Sequence, residues 1–165
     1  EAEQEIVRAH ARSLGLAKRN AQKHKVEVTF HHGDLLTNLE GEFDLIIANL
    51  PYVPAARWRF LESQVRDFEP REAIIAGRDG LKWLKRLCQE VRTYLNKHSV
   101  VALEIDDNHG ARVYRLLQTA LPDHEIRIEQ DLAHRDRFAL ALPPNSGQGS
   151  RISPVSPTVR ASAQR

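Results

Sequence analysis

Two short apolar runs constrain this chain more than any other feature: FDLIIAN at 43–49 and SVVALEI at 99–105. Neither alternates cleanly with polar residues, which marks a strand covered on both faces rather than one that shows a side to water. Between them, DGLKWLKRLCQEVRTYLNK (79–97) opens on an aspartate suited to capping. It repeats its apolar residues every three or four positions, so it predicts an amphipathic helix. Strands alternating with helices imply an α/β sheet.

The remaining segments extend the pattern. Residues up to Lys25 are mostly good helix formers, with Ile6, Val7, Leu14, Leu16, Ala17 and Ala21 available for an inner face. At least 12–24 is predicted helical. VEVTFHH (26–32) sets Val26, Val28 and Phe30 against polar neighbours, a strand that Gly33-Asp34 closes with turn chemistry. A helix at 109–120 and strands at 124–131 and 137–142 follow. The expectation is a mostly parallel sheet with helices on both faces, forming one domain over residues 1–144. Between the strand at 43–49 and the helix at 79–97 lies an irregular stretch containing Pro51, Pro54, Pro70, Tyr52, Trp58, Phe60 and Phe68. So long and aromatic a loop is rarely mere connection.

The formal net charge of +2 comes from the end of the chain, because residues 145–165 hold three arginines and no acid. Removing those three leaves −1 for residues 1–144, so charge does not support a broad phosphate-neutralising surface for nucleic acid. The tail itself, rich in Ser, Pro, Gly and Arg without apolar period, is expected to stay disordered. No apolar run approaches the roughly 20 residues of a membrane span and no charged-then-apolar leader opens the chain, so the expected address is the cytoplasm. The chain contains no methionine and begins at Glu1, which reads as a fragment. Its single cysteine, Cys88, falls in the apolar pattern of the 79–97 helix and reads as a small buried hydrophobe.

The run at 43–49 ends in Asn49 and leads into Leu50-Pro51-Tyr52, and ligands of open parallel sheets bind beyond the carboxyl ends of the strands. Gly33-Asp34-Leu35 occupies the same kind of position after the preceding strand. The residue before a proline is pushed into an extended conformation, which fixes the direction of the Leu50 carbonyl. Asn49 adds a side-chain acceptor and Tyr52 a flat apolar face. Two fixed acceptors beside an aromatic wall suit an NH2 group on a planar frame, such as a carboxamide or the exocyclic amine of adenine. Holding both N–H bonds turns the delocalised lone pair toward an electrophile, so positioning is most of the catalysis. A plainer reading is a strand ending in a turn, since Asn and Pro are ordinary turn residues.

IIANLPY resembles the Asn-Pro-Pro-Tyr signature of class I S-adenosylmethionine-dependent amino-methyltransferases. With VRDFEPREAIIAGRDGLKWLKRL, VVALEI followed by HGARVYRLL, and DLAHRDRFALA, residues 12–142 resemble the carboxyl-terminal half of the release-factor glutamine methyltransferases, the HemK or PrmC family. The resemblance implies a Rossmann-like fold, S-adenosylmethionine as cofactor, and methyl transfer to the glutamine amide in the Gly-Gly-Gln motif of peptide-chain release factors. It places Asn49, Leu50, Pro51 and Tyr52 in the glutamine pocket, with Asn49, Pro51 and Tyr52 as the catalytic set, and Asp34 and Leu35 beside the adenine of a cofactor that Asn49 also touches. Glu69-Pro70 matches the family's Phe-Glu-Pro loop, expected to close the site. Leu50 stands where the family more often has proline, and its carbonyl is kept.

The departure lies upstream. The family's glycine-rich turn after its first strand is missing, and Arg8 falls where an acid should take the ribose hydroxyls, with His10 aligning only if two loop residues are deleted. Both the first strand and most of the cofactor cradle are therefore expected to be absent, leaving 1–24 free to run as one helix and cofactor binding weak. Two other readings stay open. A nucleic-acid adenine N6-methyltransferase shares the Asn-Leu-Pro-Tyr pocket and should show a basic face, whereas a non-catalytic remnant of the fold would explain the missing turn. The histidines, including His31-His32, show no metal-ligand spacing. Arg135, Asp136 and Arg137 read as surface ion pairs capping the final strand.

Overall fold

The computed structural model describes residues 2–68, 70–144 and 159–163. The chain divides into two compact units, one of residues 1–40 with 150–165 and one of residues 41–149, where the sequence predicted one domain over 1–144.

In the smaller unit, helix α1 (Ala2–His24) runs without interruption through the segment where Arg8 and His10 lie. It stops at Lys25, which adopts a left-handed φ of 53°. The Lys25 N–H bonds the Gln22 carbonyl and the Val26 N–H reaches back to Ala21, the paired closure that satisfies orphaned carbonyls at a helix end. Strand β1 (Val28–His32) pairs in parallel with β6 (Val159–Ala163). This strand lies within the tail expected to be disordered; residues 145–158 and 164–165 are outside the described residues.

The larger unit carries a four-stranded sheet in the order β2-β3-β5-β4, built from β2 (Phe43–Asn49), β3 (Leu95–Glu104), β4 (Glu125–Gln130) and β5 (Asp136–Leu142). Strands β2 and β3 are parallel, while β5 is antiparallel to both β3 and β4. The sheet is thus mixed. Only residues 131–135 separate β4 from β5, too few for the crossover that a parallel pair needs. The intervening helices are α2 (Ser63–Phe68), α3 (Lys82–Glu90) and α4 (Gly110–Ala120). No helix among the described residues is long and apolar enough to cross a membrane.

The core forms where α4 lies on β4 and β5 and α3 lies on α4. Leu84, Leu87 and Val91, then Val113, Leu117 and Leu121, are buried there, as are Val101, Leu103, Ala139 and Ala141 on the sheet and Ile105 just past β3. Each such aliphatic side chain contributes roughly 1.5–3 kcal/mol by leaving water. At the start of α4, a Cβ on Gly110 would displace the Asp136 carboxylate and come within 3.4 Å of Ile128 Cγ2, so helix and sheet approach closely there.

The 79–97 helix is shorter than predicted. It ends at Glu90, a 3-10 turn fills Val91–Tyr94, and β3 begins at Leu95. Buried Ser99 explains the early strand: its hydroxyl donates to the Phe43 carbonyl at 2.5 Å and accepts the Asn96 N–H at 2.8 Å, pinning β3 to β2 across a register shift. The buried-strand reading of β2 holds for one face only. Ile46 is buried, but Leu45 and Ile47 on the opposite face are 52% and 74% exposed, and β2 is the end strand of its sheet.

Candidate functional site

Asn49, Leu50, Pro51 and Tyr52 come together at the carboxyl end of β2. The Leu50 side chain plugs into the core and anchors the corner, while the Asn49 side chain stays exposed. Beyond the corner the chain is held by a second backbone ladder. The Val53 N–H bonds Ile74 O at 3.0 Å, Ala76 N–H bonds Val53 O at 2.9 Å, and Ala55 N–H bonds Gly77 O at 2.9 Å. That ladder brings Gly80, with φ +76°, against the corner. A Cβ on Gly80 would collide with the Tyr52 carbonyl oxygen and lie 2.6 Å from His109 Cε1. The glycine is therefore required by close approach and by dihedral together.

Acidic groups surround the corner. Glu104 at the end of β3 is the register partner of Asn49, and its Oε1 accepts the Tyr52 hydroxyl in a long 3.4 Å bond. Burial raises the Tyr52 phenol above its ordinary value and Glu104 adds to the shift. Two residues on, Asp106 is buried and takes an ion pair from Arg57 Nη1 at 3.2 Å, which fastens the 55–60 turn to the end of β3. Burial works to raise the Asp106 carboxyl, but the Asn108 backbone and side-chain N–H groups, both at 3.0 Å, bring it below the usual carboxylate range. His109 is buried beside it, and burial holds its imidazole below the ordinary value.

At the β4–β5 turn, Asp131 accepts the Arg135 N–H at 3.1 Å and pairs with Arg137 at 3.4 Å, in line with an ion pair at the start of the last strand. Asp136 instead faces the start of α4. Glu69 lies outside the described residues.

Asp34 and Leu35 belong to the smaller unit. Leu35 is buried with φ +52°, and the Asp34 carbonyl accepts the Thr37 N–H at 3.2 Å and the Thr37 hydroxyl, so the segment after β1 folds back on itself. The described residues do not fit S-adenosylmethionine as a set. Gly15 is inside α1, and at Gly110, where β3 gives way to α4, the approach is filled by the Asp136 carboxylate. No described strand-to-helix turn offers the repeated glycines that backbone contact with such a ligand would use.

Sequence reasoning missed Glu104, Asp106, His109 and Gly80. Glu104 left a signal, a charged residue closing an otherwise apolar strand; the approach of Gly80 to Tyr52 left none, because it depends on contacts distant in sequence.

Residues 1–66 match the family described as Methyltransferase small domain. The relatives are more particular. The chain is 38% identical over 132 residues to a release factor glutamine methyltransferase of Bacillus cereus, covering 78% of this chain and 47% of that protein. It is 36% identical over 130 residues to the enzyme of the same name from Enterococcus faecalis, again covering 78% and 47%. The chain thus resembles release factor glutamine methyltransferases over most of its own length and spans about half the length of the relatives it matches. Among solved structures, a protein-(glutamine-N5) methyltransferase (release factor-specific) from Alicyclobacillus acidocaldarius is matched over 67% of this chain and 85% of its own, at 15% identity and a TM-score of 0.38.

Proposed function

We propose that this chain carries the acceptor end of an S-adenosylmethionine-dependent protein-(glutamine-N5) methyltransferase, and that Asn49, Leu50, Pro51 and Tyr52 hold the glutamine amide of the Gly-Gly-Gln loop of a peptide-chain release factor. The observation that carries this reading is the corner itself. An exposed Asn49 is followed by a Leu50 whose buried side chain and proline neighbour fix its carbonyl, with Tyr52 alongside. Among the described residues no side chain bonds the Asn49 amide, so its oxygen is available to a guest. One N–H of the substrate amide goes to Asn49 Oδ1 and the other to the Leu50 carbonyl, with the amide plane against the Tyr52 ring. The nitrogen lone pair then points out of the plane shared by both acceptors, and no side-chain base is needed to expose it.

The role of Asp34 and Leu35 as partners of the cofactor adenine belongs to the same proposal. Because the described residues do not form the rest of a cradle, the chain alone is expected to bind S-adenosylmethionine weakly, and the test is made on the acceptor side. A Gly-Gly-Gln peptide titrated into the chain is expected to bind, and Asn49→Ala to weaken it by about tenfold or more through loss of one acceptor. Equal affinity for native chain and variant refutes the amide clamp.

A further inference from the structure

Glu104 is a half-buried carboxylate that the fold leaves without a counter-charge. The two nearby arginines are committed elsewhere, Arg57 to Asp106 at 3.2 Å and Arg137 to Asp131 at 3.4 Å, and among the described residues no ion pair reaches Glu104. Among the described residues its carboxylate accepts only the Tyr52 hydroxyl, so most of its accepting capacity beside the open corner is left for a guest. Glu104 and Asn49 are register partners on adjacent parallel strands, so their side chains leave the same face of the sheet from backbones roughly 5 Å apart. The bond from the Tyr52 hydroxyl turns the carboxylate toward that corner.

We propose that Glu104 is a specificity-determining residue that makes the corner accept an amide and reject the matching acid. The inference rests on the amide-acceptor reading above. Glutamine and glutamate side chains share one shape and differ at the end, where the amide offers two N–H donors and the acid presents negative oxygens. A corner composed of the Asn49 oxygen, the Leu50 carbonyl and the Glu104 carboxylate attracts the first and repels the second. Neutral acceptors already favour the amide by hydrogen bonding, and the added anion widens that preference by repelling glutamate.

The experiment compares binding of a Gly-Gly-Gln peptide and a Gly-Gly-Glu peptide at neutral pH to the native chain, to Glu104→Gln, which keeps the side-chain shape, and to Tyr52→Phe. The native chain is expected to prefer the glutamine peptide. Glu104→Gln is expected to shrink that preference by about tenfold, chiefly by gaining affinity for the glutamate peptide, with the difference fading in high salt. Tyr52→Phe, which keeps the ring and removes the bond that orients the carboxylate, is expected to shrink the ratio less than Glu104→Gln does. An unchanged ratio in Glu104→Gln, or a larger loss of the ratio in Tyr52→Phe than in Glu104→Gln, overturns the assignment. Failure of the native chain to bind either peptide sinks the amide reading beneath it, whereas glutamine-peptide binding that depends on Asn49 with a ratio indifferent to Glu104 sinks this inference alone.

Discussion

Replacing Gly80 with alanine is expected to destabilise the larger unit and dismantle the acceptor corner together. At φ +76° an L residue pays a left-handed penalty of roughly 1–2 kcal/mol. The new Cβ also collides with the Tyr52 carbonyl, a backbone atom that cannot rotate aside, and approaches the buried His109 ring to 2.6 Å. Overpacking of this kind adds roughly 1–3 kcal/mol. The sum, about 2–5 kcal/mol, is a large part of the roughly 5–15 kcal/mol that holds a typical domain folded. Both tryptophans, Trp58 and Trp83, lie in the larger unit, so urea unfolding followed by their fluorescence reports on it. Any relief must move Tyr52, and the folded fraction of Gly80→Ala is therefore expected to lose affinity for a Gly-Gly-Gln peptide. A variant that unfolds within about 1 kcal/mol of the native chain and binds the peptide normally refutes the argued approach of Gly80 to Tyr52.

Two further predictions concern single titrating groups. Asp79 is lowered from 3.8 to about 2 by the hydrogen bond from Lys85, aided by the Leu81 N–H and by Arg112. A carboxyl whose folded value is depressed adds stability above its unfolded value and loses it as pH falls from 3.8 toward 2, so the melting-point gap between native chain and Asp79→Asn should close across that window and, being partly exposed, narrow in salt. A gap that stays constant into acid disproves it. Partial burial pushes the Cys88 thiol up to about 11, so thiol-specific labelling near neutral pH is expected to be slow in the folded chain and fast in urea; equal rates contradict the half-buried placement.

Some of this architecture was legible in the residues and some was not, for physical reasons. The run at 43–49 was read with its true bounds because an apolar stretch closed by Asn and a proline leaves little freedom at either end. The helix at 79–97 was overextended since Tyr94 and Leu95 keep the apolar period; what stops it is the tie between Ser99 and Phe43, a contact between strands that no local pattern contains. Asp79 stands at the predicted opening of the helix, but its carboxylate accepts the Leu81 N–H at 3.1 Å, and Leu81 is the residue in the cap position. The shortness of 131–135 implies the antiparallel β4–β5 pair, whereas the alternation of strands and helices along the chain implies a mostly parallel sheet. Leu45 and Ile47 misled because hydrophobicity shows what could be buried, while coverage depends on neighbouring layers. At the site, the corner residues were legible as an unusual strand end, whereas the glycine and the uncompensated carboxylate acquire meaning only from what faces them.

The parallel pairing of β2 with β3 has a kinetic consequence. Residues 131–135 are all that must close for β5 to find β4, but the whole of 50–94 must be looped out before β2 can dock on β3. Loop-closure entropy grows with that length, so the hairpin and the helix lying on it can assemble while β2 is still searching. Asn49 and Glu104 become neighbours only at that late docking, which makes formation of the acceptor corner a reporter for completion of the fold.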